Sequence, residues 1–258
     1  MKLYFKYFAI QLRSAMQYKA SFFMMALGQF LVAFSAFLGI YFMFSRFHSV
    51  NGFSFSEVML CYSTVLMGFT ISECFARGFD TFGSMVSKGE FDRVLLRPRN
   101  EIMQVLASRI EFSRLGRLFQ AIIVLVYAVF ASGVDWTWDK ILTVVLMIAG
   151  AAVLFASLFL LYAGLCFFTI EGLEFMNIFT DGGREFGAYP ISVYGRGVLK
   201  FLTYAVPLAL VQYYPFLYLT GRSTNILYIL LPFCALPFAI PCYALWRLGV
   251  RHYKSSGS

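Results

Sequence analysis

No charged side chain stands between Ile141 and Ile170. A helix crossing the hydrocarbon of a bilayer needs about 20 mostly apolar residues, and this run exceeds that length. Five further runs reach or approach it: 21–44, 58–76, 118–134, 201–221 and 223–246, of which only 58–76 is interrupted by an acid, Glu73. A chain in hydrocarbon must satisfy its backbone hydrogen bonds internally, which in segments of this length means helices. The reading is an all-α membrane protein of six transmembrane helices, with residues 1–258 forming one transmembrane domain. Composition closes the soluble alternative. Charged residues make up 13% of the chain, against roughly 25% in soluble domains, too few to cover a water-facing surface.

Six spans place both termini on one side, and the basic residues say which. Short Lys/Arg-rich loops stay in the cytoplasm. With both termini inside, every Lys and Arg except Arg46, Lys140 and Arg222 falls on an inner segment. Topology thus accounts for the net charge of +8, and no nucleic-acid partner is required. The start is not expected to be a cleaved signal, because about twenty residues precede an apolar run that is itself too long for one. The five cysteines are scattered through apolar stretches with no Cys-x-x-Cys, and His48 and His252 lie near opposite ends. Neither set suggests a metal or a disulfide.

Residues 1–20 predict an amphipathic helix. At 100° per residue, Lys2, Lys6, Arg13 and Gln17 share a narrow arc, with Phe5, Phe8 and Leu12 around the rest. Such a helix suits the cytoplasmic leaflet of a lipid membrane, with Lys2, Lys6 and Arg13 at its surface. The other end of the chain is rich in proline: Pro207, Pro215, Pro232, Pro237 and Pro241. Each removes a helix hydrogen bond, so bent or re-entrant helices are expected between 207 and 232, with plain kinks as the alternative.

The loop 77–117 is the largest inner segment and carries KGEFDRVLLRPRN at 88–100. Glu90 to Leu96 can form a short helix that Pro98 ends. Asn100 can cap the next helix, whose apolar positions Ile102, Leu106 and Ile110 repeat every four residues. A short charged helix, a turn and a helix leading into a span make a shape for docking another protein.

At these residues a resemblance becomes specific. The stretch G-E-F-D-R-x-L-L-R-P between spans two and three, and AYPISVYGRGVLKFLTYAVPLALVQYYP at 188–215, resemble the permease subunits of type-2 ABC exporters, within the subgroup of small six-span permeases that work with a separate ATPase. The resemblance covers essentially the whole chain. It implies that the loop after span two is a coupling helix seated in a cytoplasmic ATPase, with Glu90, Phe91, Asp92 and Arg93 facing that ATPase and Arg97 and Pro98 shaping the exit toward span three. Phe91 would fill a pocket there, and the flanking charges would set register. It also implies two ATPase subunits carrying ATP and magnesium, none bound by this chain, and a second permease, unlike or identical, with an unlike partner favoured. The setting would be a bacterial cytoplasmic (inner) membrane, and the cargo a hydrophobic, amphipathic or cationic compound.

The residues agree with a non-catalytic role. The chain has no G-x-x-x-x-G-K-[ST] for ATP, no H-E-x-x-H and no G-x-S-x-G. Glu73, with Pro207 and Pro215 at the broken helices, is a candidate for the substrate pathway. Glu73, Glu171 and Glu174 can equally lie at headgroup level, paired with Arg77, Arg184 or lipid. The rival reading is an ion-coupled secondary transporter, which would call for internal repeats and acids at mid-depth. A membrane enzyme or scaffold is a third.

Overall fold

The computed structural model describes residues 2–169 and 174–254, with side chains from Tyr4 onward. The described residues are overwhelmingly helical. Helix α1 (Lys2–Ala15) is followed by a single 3-10 turn and then α2 (Lys19–Arg46). Tyr18, at φ −111° and ψ 67°, breaks the helix between them. Helix α3 (Phe55–Asp80) begins at a capping box: Ser54 Oγ accepts from Glu57 N–H while the Glu57 carboxylate accepts from Ser54 N–H. Three short helices follow: α4 (Phe82–Ser87), α5 (Glu90–Leu95) and α6 (Glu101–Ser108). Then come α7 (Leu115–Ala131), α8 (Trp138–Leu165), α9 (Asp181–Gly187), α10 (Arg196–Tyr204), α11 (Tyr214–Leu219) and α12 (Ala235–His252).

Among the described residues, five helical stretches are long and apolar enough to cross a membrane: Tyr4–Arg46, Phe55–Ser87, Phe112–Ala131, Trp138–Leu165 and Ile226–His252. The run expected to form a fifth span, 201–221, is not among them. It is split into α10, a break at Ala205–Leu208, a π-helical turn at Ala209–Tyr213 and α11. Pro207 marks the break, where it supplies no N–H and α-helical bonding is lost. Pro215 sits in the first turn of α11, where a missing N–H costs little. Before α12 the chain runs as a 3-10 helix over Ile226–Cys234, with Pro232 inside it. The proline-rich third therefore leaves α geometry repeatedly, as its composition predicts.

Helix α3 is the central pillar. Of its most apolar window 83% is buried, against 11% for the stretch containing α2. It packs on α7 and α8, and α12 packs on α8, with its Trp246 reaching Phe79 of α3. One apolar cluster, around Phe79, Phe82, Phe91, Phe155 and Trp246, fills the half nearer the α4–α6 loop. The other, around Phe44, Phe53, Val58 and Phe216, fills the opposite half. Helix α1 turns Tyr4, Phe8, Leu12 and Ala15 onto Phe22, Ile110 and Phe112.

Candidate functional site

The α4–α6 loop is built from its glycine outward. Gly89 holds φ +67°, a left-handed conformation natural to glycine, and reverses the chain between α4 and α5. Helix α5 then has two faces. Phe91 is fully buried. Its ring meets Phe82, Phe167 and Tyr253 edge-on at 5.1, 5.2 and 5.1 Å, and Trp246 at 6.1 Å. This corrects the expectation that Phe91 fills a partner's pocket. Its ring is spent inside the chain, joining α5 to the end of α12. The outward face carries Glu90, Arg93 and Arg97, all exposed, and Leu96, which is 84% exposed. Leu96, which caps α5, is thus the most exposed apolar group here, with Leu95 partly exposed beside it, and no sequence signal separated them from Phe91. Asp92 is half-buried beside Tyr253. Burial, with that carboxylate nearby, pushes the Tyr253 hydroxyl up to about 12.

The exit of α5 is tied down. Gln104 Nε2 donates to the carbonyls of Val94 and Arg99 at 3.1 Å each. Pro98 is exposed and lies within a tight turn in which Arg99 N–H donates to Arg97 O at 2.7 Å. Asn100 caps α6, its Oδ1 accepting from Met103 N–H at 3.1 Å. Arg97 reaches Tyr7 of α1 at 3.4 Å. Gln11 reads the end of α6, donating to Ala107 O and Ser108 O and accepting from Ile110 N–H. Helix α1 is therefore fastened to the loop while Lys6 and Arg13 remain exposed. The side chain of Lys2 lies outside the described residues.

Glu73 is buried and held by arginines. Arg117 Nη1 lies 2.6 Å from one carboxylate oxygen, and Arg114 and Arg77 lie 3.5 and 3.6 Å from the other. Gln29 of α2 accepts from both Arg114 and Arg117, and Glu111 pairs with Arg114 and Arg109. Burying a carboxylate is costly unless it is paired, and this network pairs it while joining α2, α3 and α7. Both oxygens are engaged, so Glu73 is a fastening between helices rather than an open contact for cargo. Pro207 and Pro215 are also buried and shape backbone. Glu174 is exposed, and Glu171 lies outside the described residues.

A feature that sequence reading missed lies between α8 and the broken stretch. The chain from Phe179 to Phe201 folds back on itself: Phe179 meets Phe201 at 6.2 Å and Phe186 meets Tyr194 at 4.9 Å. This hairpin is inserted deep into the bundle. Cys61 Sγ donates to Gly187 O at 3.2 Å. A Cβ on Gly187 would lie 2.6 Å from Val65, a close approach open to glycine alone. The Arg184 guanidinium lies over the ring of Phe69, 5.1 Å from its centroid, and Phe69 is near the middle of α3. Sequence reading assigned Arg184 to an inner segment from the count of spans and the bias of basic residues. Two polar bridges lie nearby: Gln212, in the π-helical turn, is buried and bonds Thr64 of α3 and Met147 O of α8, and the half-buried Tyr218 donates to Asp139 at 2.6 Å.

Compared with known proteins, residues 30–257 match the model of a family described as ABC-2 family transporter protein. No curated protein matches the chain, and no solved structure does.

Proposed function

The chain belongs to the ABC-2 transporter family, as a membrane-spanning transport component, and from that premise we propose that it is one permease of an ATP-binding-cassette exporter whose ATP and magnesium are bound by separate cytoplasmic ATPase subunits. Two permeases and two ATPases would make the working unit, the second permease being an unlike chain or a copy. The broken stretch 201–221 completes a six-span topology, with both termini in the cytoplasm of a bacterial cell and the cargo moved outward across its cytoplasmic membrane. The cargo is hydrophobic, amphipathic or cationic in this reading.

The observation that carries it is the two-faced α5. Its outer face offers Glu90, Arg93, Leu96 and Arg97, a small apolar contact framed by charges, as protein interfaces favour. Its inner face is locked through Phe91 to Trp246 and Tyr253. A push on α5 would move the inner ends of α8 and α12 together, since Phe167 and Trp246 also meet at 5.1 Å. Cooperating helices, rather than a flexible loop, would then carry ATPase closure into the spans.

The test is a gentle affinity purification of the tagged chain from its native membranes. An ATPase with a phosphate loop should co-purify, and should be lost with Leu96→Glu and Arg93→Glu together. Recovery of the chain without any ATPase sinks the reading.

A further inference from the structure

Arg184 occupies a place where a cation is expensive. A cation at membrane depth is costly, and usually faces a bundle interior or a water-filled cavity; Arg184 reaches that depth from the short helix α9. Here the guanidinium lies level with Phe69 and donates to the Glu185 carboxylate at 2.5 Å. Asp181 stands 3.8 Å away. The arginine side chain is 21% exposed and that of Glu185 63%. A cavity of about 280 Å³ opens beside them between α2, α3 and α9. Arg117, Arg184, Glu185 and Tyr62 give it polar groups, and Val32, Ala36, Val65 and Leu66 give it an apolar wall. Val32 and Ala36 also belong to the exposed side of α2.

The charges select the occupant. Arg117 is already neutralised by Glu73 at 2.6 Å, and Asp181 is not among the residues lining the cavity, so the pair that faces it is Arg184 with Glu185. A ligand with only an anion would draw Arg184 away from Glu185, and one with only a cation would draw Glu185 away from Arg184, leaving it the more distant Asp181. Either exchanges one ion pair for another, whereas a ligand with both signs exchanges one ion pair for two. The volume lies at the small end for ligand cavities, enough for a head group, with the tail lying along the exposed side of α2.

Resting on the exporter reading, we propose that this cavity binds the zwitterionic head group of a single- or double-chain amphiphile, its anion on Arg184 and its cation on Glu185, and that such amphiphiles are the cargo class.

The test uses the purified full chain in a nonionic maltoside and three radiolabelled amphiphiles with one common tail: dodecylphosphocholine, dodecyltrimethylammonium and dodecyl phosphate. Saturable binding of the phosphocholine, about tenfold tighter than either singly charged probe, is expected. It should fall by about tenfold in Arg184→Gln and in Glu185→Gln, and the double swap Arg184→Glu with Glu185→Arg should recover part of it. Glu185 is largely exposed, so Glu185→Gln keeps the test open if Arg184→Gln does not fold. Equal binding of the three probes, or unchanged binding by Glu185→Gln, overturns the proposal. Mass spectrometry of an organic extract separates two sources of the same chemistry. Phospholipid retained by the wild type and lost in Glu185→Gln identifies a bilayer lipid; probe binding without retained phospholipid identifies an amphiphile from elsewhere. The assay contains no ATPase. Failure here with intact ATPase capture removes the site alone, and the opposite pair of results removes the exporter reading alone.

Discussion

The ring of Phe91 meets that of Tyr253 edge-on, with centroids 5.1 Å apart and planes at 88°. Those residues are separated by most of the chain, and their contact ties the short inner helix α5 to the residue that follows α12. Around it Phe82, Phe167 and Trp246 form one aromatic block in which α4, α5, the end of α8 and α12 share side chains.

Phe91→Ala should act on stability and Leu96→Glu on association. Truncating a buried phenylalanine costs about 3–5 kcal/mol, so Phe91→Ala should lower the thermal midpoint of the detergent-solubilised chain. Leu96 is 84% exposed, so Leu96→Glu should leave that midpoint unchanged while reducing ATPase capture. A midpoint shifted equally by both would show that α5 has no free face.

Glu73→Gln leaves Arg117 buried with its carboxylate gone, while Arg114 keeps Glu111. Removing one partner of a buried pair costs about 3–5 kcal/mol, and here it should loosen α2, α3 and α7 together. Replacing Glu73 and Arg117 jointly by methionine should recover a large part of the loss, because no unpaired charge then remains between that pair. A thermal double-mutant cycle measures this, and strictly additive effects would contradict direct coupling.

Gln11→Ala removes three hydrogen bonds between α1 and residues 107–110. The effect should be local. Amide exchange at Ile110, whose N–H donates to Gln11 at 2.7 Å, should speed up while exchange in the middle of α3 is unaltered. Unchanged protection at Ile110 would mean that α1 is not fastened there.

Gly187→Ala should destabilise by about 1–3 kcal/mol, the usual cost of forcing a methyl into a packed core. The added carbon would meet a stiff, β-branched valine, Val65, at 2.6 Å. Adding Val65→Ala should restore stability relative to Gly187→Ala alone, since the clash partner is gone. Absence of any rescue, read by thermal midpoint, would place the hairpin away from Val65.

Within the charged loop, local chemistry was legible. The cap at Asn100 depends on residues three apart, and the turn at Pro98 follows from the ring itself. The direction of Phe91 was not, because α5 spans fewer than two turns and its charged neighbours suggest exposure all round. The hydrophobicity of 201–221 likewise reads as one span, although α10 packs against Phe179 and is thereby diverted into the hairpin.

What the sequence by itself determined is what contiguous residues encode: the hydrocarbon-length runs, the bias of basic residues, the breaks at prolines and the membrane class. Those depend on local composition and on backbone hydrogen bonding in lipid. Tertiary structure alone decided that Phe91 turns inward, that Glu73 is bound by Arg114 and Arg117, and that Arg184 lies level with Phe69. Each is a pairing between residues distant in the chain, where desolvation makes one partner's position depend on the other's, and no periodicity within either segment carries that information.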